Sequence, residues 1–430
     1  MKYRTLTNWI EKNLNLKIRL TQVAIAYLIF LMISIRKHSL KEAANFSNSS
    51  ESRFSRFLKD HPDLAVTKLS ELSKRQAKQF GKGFLKALAD GSVPWEIAII
   101  IDSTLQKRSS LHAENVKRFN HGKGFVIGHQ WTNIILIIND ILIPLPPIAF
   151  YSKSYCRKNN MTYKTEHKNV FEYLKKLDLA EYIGPHNPKK VVVLADSGYD
   201  NNKIESLIDR KGWRYIIALK KKRTVKTEKE YASTAKSKDW SQVEKVFKAN
   251  RWIKWITVFL PKNSTTKKRT EFRIRAITGY LRDVGKAQLI CSEFKKGPKG
   301  RRKYLASNDL KATPRQILMG YRMRWGIETF HKKIKMFLGF EDIATKSFKS
   351  VISHVHWVYI AYILLNSDPP GMPKHLTSIE DKQVEVKKAI QRKEVSRIRQ
   401  LLTRFEGVES FKAELLEALE GHLKCSNLIW

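Results

Sequence analysis

The alternation of apolar and polar positions divides the chain into five segments. Apolar residues recur at helical spacing near the start, then form short continuous runs typical of buried strands, then alternate, and finally return to helical spacing. On this pattern the fold class is α/β. The predicted segments are a helical part over 1–90, a first α/β part over 91–219, a β-rich insertion over 220–303, a second α/β part over 304–368 and a helical tail over 369–430.

Two short helices are predicted in the N-terminal segment, with a spacing typical of a DNA-binding element. The first covers about 40–46, the polar turn SNSS follows, and the second covers about 51–58 before Pro62. In a helix-turn-helix the second helix presents its side chains, here Arg53 and Arg56, to a DNA groove. Two ordinary amphipathic helices fit the same pattern, so both interpretations stay open.

Two apolar runs in the α/β part end in an acid. EIAIIID ends at Asp102 and KKVVVLAD ends at Asp196, and each run predicts a strand buried on both faces. Acids at such strand ends project from the sheet edge, where open α/β sheets bind ligands. Each acid taken alone is more commonly a turn or helix cap. GFVIGHQW and NIILIINDILIPLPPIAF are predicted to form two further strands, the second ended by prolines.

After the insertion comes a long helix with one acid among many bases. TPRQILMGYRMRWGIETFHKKIKMFL is predicted to begin at the N-cap Thr313, with Pro314 in its first turn, and to end near Gly339. Glu328 lies between arginines and lysines on this helix. An exposed ion pair with Lys332, four residues on, is the ordinary explanation and contributes only about 0.3–0.5 kcal/mol.

The composition changes this picture because the chain is strongly basic. Lysine and arginine number 81 against 40 aspartates and glutamates, which gives a net charge of +41. Such an excess indicates a polyanionic partner, usually nucleic acid. The rival partner, an anionic membrane, rests on the apolar run 23–33, which is shorter than the roughly 20 residues that a span needs. We therefore predict a cytoplasmic, DNA-binding protein without a membrane contact.

Three acids in so basic a chain indicate a metal site beside DNA. If Asp102, Asp196 and Glu328 converge, their oxygens offer hard ligands to divalent cations. Two Mg²⁺ ions about 3.5–4 Å apart can activate water and stabilise the leaving oxygen of a phosphoryl transfer. The surrounding lysines and arginines would then hold the DNA.

The residues around the third acid resemble a family signature. Tyr321, Arg324, Glu328 and Lys335 follow the spacing Y-x2-R-x3-E-x6-K, and the two earlier acids stand in IIIDSTLQKR and LADSGYDNNK. Over about residues 95–365 the sequence resembles the DDE transposases of bacterial insertion sequences, in particular the hairpin-forming IS-four-like group. On a straight helix with about 100° per residue the four signature positions lie within about 60°, which predicts one shared face.

The resemblance implies an RNase H-like catalytic core, a mixed sheet flanked by helices, with a β-rich insertion and a preceding helical DNA-binding domain. It implies that Asp102, Asp196 and Glu328 hold two Mg²⁺ ions, for which Mn²⁺ can substitute. It also implies cut-and-paste cleavage of double-stranded DNA through hairpin ends and strand transfer into target DNA. The protein would act as a homodimer on DNA, in the bacterial cytoplasm at the nucleoid.

Several side chains are DNA-binding candidates on the same grounds. In this group an aromatic residue of the insertion stacks under a flipped base, and two tryptophans here are candidates, although a core position on a strand is the ordinary alternative. The predicted DNA-binding residues are Tyr321, Arg324, Lys335, Lys332, Arg53, Arg56, Trp252 and Trp255.

Two other functions fit the same residues. One is a structure-selective nuclease on the same core. The other is a DNA-binding protein without turnover, such as a silenced element that serves as a repressor. The charged tail 375–424 fits either a dimerisation helix or a solvated helical cap.

Overall fold

The structure is a computed structural model that describes residues 1–33, 35, 37–81, 85–122, 124–232, 240–250, 253–260, 270–295 and 302–404. Within these ranges the helices are α1 (Tyr3–Leu14), α2 (Ile18–Leu31), α3 (Leu40–Ser47), α4 (Glu51–Asp60), α5 (Pro62–Gly81), α6 (Lys153–Lys158), α7 (Glu166–Lys176), α8 (Ala180–Ile183), α9 (Asn202–Arg210), α10 (Glu228–Ala232), α11 (Val243–Ala249), α12 (Pro314–Met323), α13 (Trp325–Phe337), α14 (Phe348–Asn366) and α15 (Ile379–Arg404).

The strands in the same ranges are β1 (Ile97–Lys107), β2 (Lys117–His121), β3 (Gly124–Ile138), β4 (Ile141–Pro144), β5 (Ile148–Ala149), β6 (Val191–Ala195), β7 (Arg214–Leu219), β8 (Thr224–Thr227), β9 (Ser241–Gln242), β10 (Ile256–Leu260), β11 (Thr270–Leu281), β12 (Gly285–Phe294) and β13 (Arg302–Ser307). Short 3₁₀ turns precede and follow β6, over Pro188–Lys190 and Ser197–Tyr199.

All of these strands join one mixed sheet, in the order β2-β3-β1-β6-β7-β13-β12-β11-β8-β9, with β4 and β5 on β3 and β10 on β11. β1, β6 and β7 run parallel to one another, and the other pairs are antiparallel. The prediction of a mixed α/β fold with a central sheet flanked by helices is confirmed. The strands of the predicted insertion extend this central sheet through β13.

Helices cover both faces of the sheet, because its central strands are apolar on both sides. Ala98 and Ile100 of β1 belong to a core shared with the N-terminal helices and α12–α14. Ile97, Ile99 and Ile101 point the other way, into a second core that α7, α9 and α11 close. Alternate residues of a strand thus serve opposite layers, as the pleat requires.

Helix α14 lies at the centre of the first core. It packs against α2, α4 and α5 as well as against β4. It is long and apolar enough to cross a membrane, but 89% of that apolar stretch is buried inside the protein. Its composition is therefore explained by burial among the N-terminal helices and the sheet.

The two short N-terminal helices form where the sequence predicts them. Ser39 and Ser50 cap α3 and α4 by accepting backbone N–H groups, and Asn48 (φ 49°) makes the turn between them. One face of α4 is buried, while Arg53 and Arg56 on its other face are exposed. The geometry leaves these arginines accessible to solvent, and their contact with DNA stays a prediction.

The prediction of separate strands for GFVIGHQW and NIILI is wrong. β3 runs through both segments from Gly124 to Ile138, since its whole length pairs with β1 and β2. The chain turns back at Asn139 and Asp140, whose φ angles of 49° and 62° suit a tight hairpin. β4 then pairs with the end of β3.

The prediction of one continuous helix after Thr313 is also wrong. The capping box of Thr313 and Gln316 is present, but α12 ends at Met323 and α13 begins at Trp325. Around Arg324 the backbone forms tighter bonds three residues apart, from Arg324 N–H to Tyr321 O and from Ile327 N–H to Arg324 O. The angles calculated for a straight helix, which place the four signature positions within about 60°, therefore do not apply across this break.

The charged tail begins as a packed helix. Gln383 of α15 donates to the carbonyl oxygens of Phe337 and Ile33, and Glu385 binds the N-terminal amine of Met1 at 3.1 Å. Residues 391–401 are largely exposed. The first half of α15 is thus a cap on the core, and dimerisation through the charged tail stays a prediction.

Candidate active site

Asp102 and Asp196 occupy matching positions on neighbouring parallel strands. The last paired residues of β1 and β6 are Ile101 and Ala195, and each acid is the next residue. Adjacent strands lie about 4.8 Å apart, so the two acids start close together. The prediction that Asp102 ends its strand is wrong, because β1 continues to Lys107 in antiparallel pairing with β3. Only the parallel pairing of β1 with β6 ends at this point.

Both acids belong to the sheet face that α12 and α13 cover. Ile100 and Leu194, two residues before them, lie in the core shared with these helices, and residues two apart share a strand face. The backbone of Asp196 stays extended, with φ −82° and ψ −177°. Its Oδ1 accepts the N–H of Gly198 at 2.8 Å, which fixes the carboxylate at the start of the turn.

Arg324 joins the first and third acids. One guanidinium nitrogen donates to Oδ2 of Asp102 at 2.9 Å, and the other donates to Oε1 of Glu328. The side chain of Arg324 is 12% exposed, that of Asp102 18% and that of Glu328 35%. The predicted partner of Glu328, Lys332, is exposed and forms no ion pair within the described ranges.

Burial and like charges shift the protonation of Asp102. Burial raises the pKa of Asp102 to about 6, and the charges of Asp196 and Glu328 raise it as well. The guanidinium of Arg324 and the N–H of Ser103 lower it without cancelling the effect. The negative charges of Asp196 and Glu328 thus act on Asp102, so both acids lie within electrostatic range of it.

Tyr321 and Lys335 lie on either side of this pair along the helices. Tyr321 is buried, and Cζ of Arg324 lies 5.9 Å from its ring centroid. Nζ of Lys335 donates to the carbonyl oxygen of Leu105 at 2.7 Å and lies 3.4 Å from Glu341. Arg324 and Lys335 therefore contact β1 directly despite the helix break. Tyr321 and Glu328 contact Arg324 instead.

A buried chain of hydrogen bonds through Asn133, His331 and Tyr359 supports the strand next to Asp102. Asn133 lies opposite Asp102 in the β1–β3 pairing. Its Oδ1 accepts the hydroxyl of Tyr359, so its amide nitrogen donates to Nε2 of His331 at 2.7 Å. Burial, with the charges of Lys335 and Arg324, lowers the pKa of His331 to about 3 and keeps it neutral. The sequence gives no sign of this chain, because its members are more than 25 residues apart from each other.

A second supporting group lies on the opposite face of β1. Glu166 accepts hydrogen bonds from Tyr199 at 2.7 Å, Gln130 at 2.8 Å and Thr132 at 3.1 Å. Burial raises the pKa of Tyr199 well above its usual value, with a further contribution from Glu166. The position of Tyr199, three residues after Asp196, is the one signal that could have indicated it.

The three predicted acids supply carboxylate oxygens, the donor type that hard divalent cations bind. Within the described ranges, no three His, Cys, Asp or Glu side chains are arranged closely enough to hold a metal ion. The acids are nevertheless coupled, and Arg324 supplies positive charge between Asp102 and Glu328. Carboxylate oxygens are the ligands that Mg²⁺ prefers. Asp102, Asp196 and Glu328 offer oxygens of this kind.

Of the two predicted base-stacking tryptophans, Trp255 lies among the residues that the structure describes. Trp252 lies outside the described residues. Trp255 is half-buried, and its ring is surrounded by guanidinium groups, with Cζ of Arg275 at 4.4 Å, Arg273 at 5.5 Å and Arg302 at 5.6 Å. These cations occupy the space over the ring that a base would need, so stacking there requires them to move.

Residues 160–364 match the family model described as Transposase DDE domain. The matched range includes Asp196 and Glu328, while Asp102 precedes it. This match supports a transposase of the DDE family, the family that the signature spacing indicates. No curated protein matches the chain.

Proposed function

We propose that the protein is a cut-and-paste DNA transposase of the IS-four-like group, with Asp102, Asp196 and Glu328 as its catalytic acids. The observation that carries this proposal is the matched register of the two aspartates on parallel strands, joined through Arg324 to the glutamate of α13. The order of β3, β1, β6 and β7, one antiparallel and three parallel, supports an RNase H-like core.

The acids would hold two Mg²⁺ ions, which supply water activation and stabilisation of the leaving oxygen. Arg324 keeps Asp102 and Glu328 together while no other cation neutralises them. Once their charge is neutralised, its guanidinium is available for a DNA phosphate, which it can bind through two parallel N–H groups. Lys335, fixed on the carbonyl of Leu105, directs a second cation toward the same strand.

The N-terminal helices would bind the terminal inverted repeats, with Arg53 and Arg56 of α4 exposed for this purpose. The net charge of +41 supports a DNA partner both at the element's ends and at the target. Two ends must be brought together, so we expect a homodimer on DNA. We also propose that cleavage passes through hairpin ends, with Trp252 or Trp255 stacked under a flipped base.

One assay tests the function against the alternatives. The purified protein is incubated with Mg²⁺ and a DNA fragment that ends in the element's inverted repeat. Joining of the cleaved end to target DNA supports a transposase. Cleavage without joining indicates a structure-selective nuclease, and binding without cleavage indicates a DNA-binding protein without turnover.

The variant Glu328→Gln tests whether Glu328 is needed for DNA cleavage. We expect cleavage to be abolished while end binding stays nearly intact, because the amide keeps the shape but loses the charge that holds metal. Glu71→Gln is the control, since Glu71 forms an exposed ion pair with Lys68 on α5, a helix that carries no predicted acid. Unchanged cleavage in the Glu328 variant would remove that residue from the site.

A further inference from the structure

A lysine of the strand that follows the insertion lies at the same sheet edge as the acids. β7 runs parallel to β1 and β6, so its carboxyl end at Leu219 lies at the edge where Asp102 and Asp196 stand. β13 is antiparallel to β7, and Tyr304 pairs with Leu219. Lys303, one residue earlier, therefore lies just beyond the end of β7.

Lys303 also faces the same side of the sheet. Leu305, two residues on, belongs to the core that holds Ile100 and Leu194, and side chains two apart share a face. Nζ of Lys303 lies 5.0 Å from the ring centroid of Tyr321. Tyr321 thus contacts two cations, since Arg324 approaches the same ring.

The other cations of this site already have partners. Arg324 binds two carboxylates, and Lys335 binds a carbonyl oxygen and lies near Glu341. Lys303 is exposed and forms no ion pair in the part of the chain that the structure describes. Partial burial and the charge of Arg324 lower the pKa of Lys303, while the charges of Asp196 and Glu328 raise it. A cation directed at the acids without a carboxylate in contact is suited to an incoming anion.

We propose that Lys303 binds a phosphate of the DNA strand that is cut, next to the cleaved bond. This inference rests on the proposed function, because the phosphate must lie against the acids. In this arrangement the strand that leads out of the insertion contributes a residue to the site. Tyr321 holds the ammonium group in place through its ring face, as expected of a cation near an aromatic quadrupole.

The experiment compares three variants: Lys303→Ala, Lys303→Arg and Lys311→Ala. Lys311 is the matched control, because it is an exposed lysine beyond the opposite end of β13. Binding is measured without Mg²⁺ on DNA ends in which single phosphates around the cleavage site are replaced by neutral methylphosphonates. Single-turnover cleavage is measured with Mg²⁺ on unmodified ends at saturating protein.

We expect one methylphosphonate position to weaken binding of the wild type by on the order of tenfold. Lys303→Ala should be insensitive to that position, whereas Lys311→Ala should keep the wild-type sensitivity. Cleavage by Lys303→Ala should fall by on the order of a hundredfold at saturation, with partial recovery in Lys303→Arg. A matching thermal melting curve shows that the fold is retained.

The inference is overturned if Lys303→Ala keeps the wild-type methylphosphonate profile, or if it cleaves as fast as Lys311→Ala. It is also overturned if Lys303→Arg is as slow as Lys303→Ala. These failures concern Lys303 alone, because the wild type still cleaves in each of them. Absence of cleavage and of end binding in the wild type would instead overturn the proposed function.

Discussion

Among the described residues, two clusters each combine two acids with one arginine, and they differ in access to solvent. The candidate active site joins Asp102 and Glu328 through Arg324, and the side chain of Glu328 is 35% exposed. The second cluster joins Asp200 and Glu205 through one arginine, and their side chains are only 2% and 0% exposed. Similar residues thus form an open site in one place and a closed structural pair in the other.

The closed cluster lies between α9 and the start of β8. Arg223 donates to Oε2 of Glu205 at 2.6 Å and lies 3.4 Å from Oδ1 of Asp200, whose Oδ2 accepts the N–H of Lys220 at 2.8 Å. Burial raises the pKa of Glu205 to about 7, and Arg223 opposes this effect. These bonds tie the end of β7 to α9, so the cluster stabilises the sheet edge that carries the predicted catalytic acids. Acid residues alone therefore do not identify a site; an opening toward a substrate is also needed.

The largest effect should separate two aspartates that are four residues apart. Asp196→Asn should slow cleavage by on the order of a thousandfold or more, the scale on which loss of one member of a catalytic unit acts. Asp200→Asn should keep most of the wild-type rate in its folded fraction, because Asp200 faces Arg223 and not the substrate. Single-turnover cleavage at saturating DNA measures both. Equal losses in the two variants would end the distinction between the clusters.

The second prediction compares how much Arg223 and Arg324 contribute to the free energy of unfolding. Arg223→Ala leaves Glu205 buried without its partner and should lower the free energy of unfolding by about 3–5 kcal/mol at pH 8. Arg324→Ala should cost less, about 1 kcal/mol, because Asp102 and Glu328 are 18% and 35% exposed and keep more contact with water than the acids of the second cluster. Urea denaturation followed by circular dichroism measures both.

The pH dependence of the Arg223 variant gives a further check. Its deficit should shrink toward pH 5, since Glu205 is then protonated and no longer leaves a buried charge. A deficit that is equal for both arginines at pH 8 would show that the second cluster is no more structural than the first.

Much of the fold follows from local patterns. Apolar runs predict β1 and β6, and capping residues such as Ser50 and Thr313 mark the starts of α4 and α12. The order of the acids and the spacing around Glu328 indicate the candidate site. These features could be predicted because each depends on residues close together in sequence.

The remainder depends on contacts between distant segments. β1 continues past Asp102 because β3 pairs with it, and this partner lies about 30 residues away. The helix breaks at Arg324, where the guanidinium reaches Asp102, 222 residues earlier. Lys303 carries no motif at all, and its place at the site follows from the pairing of β13 with β7. Tertiary pairing of this kind has no local sequence signal.

The smallest expected effect is the loss of folding free energy that comes from the ionised carboxylate of Asp102 in the candidate active site. The pKa of Asp102 is raised from 3.8 to about 6 in the folded protein, so the ionised carboxylate destabilises the fold. The contribution of Asp102 to stability should therefore fall as pH rises from about 4 through 6. Asp102→Asn has no such charge and should be more stable than the wild type by on the order of 2 kcal/mol at pH 8, with the difference vanishing near pH 4. Urea denaturation across this range measures it, with Glu71→Gln as the control. If Asp102→Asn were instead less stable at pH 8, the ion pair with Arg324 would outweigh burial, and the open cluster would share the structural role of the closed one.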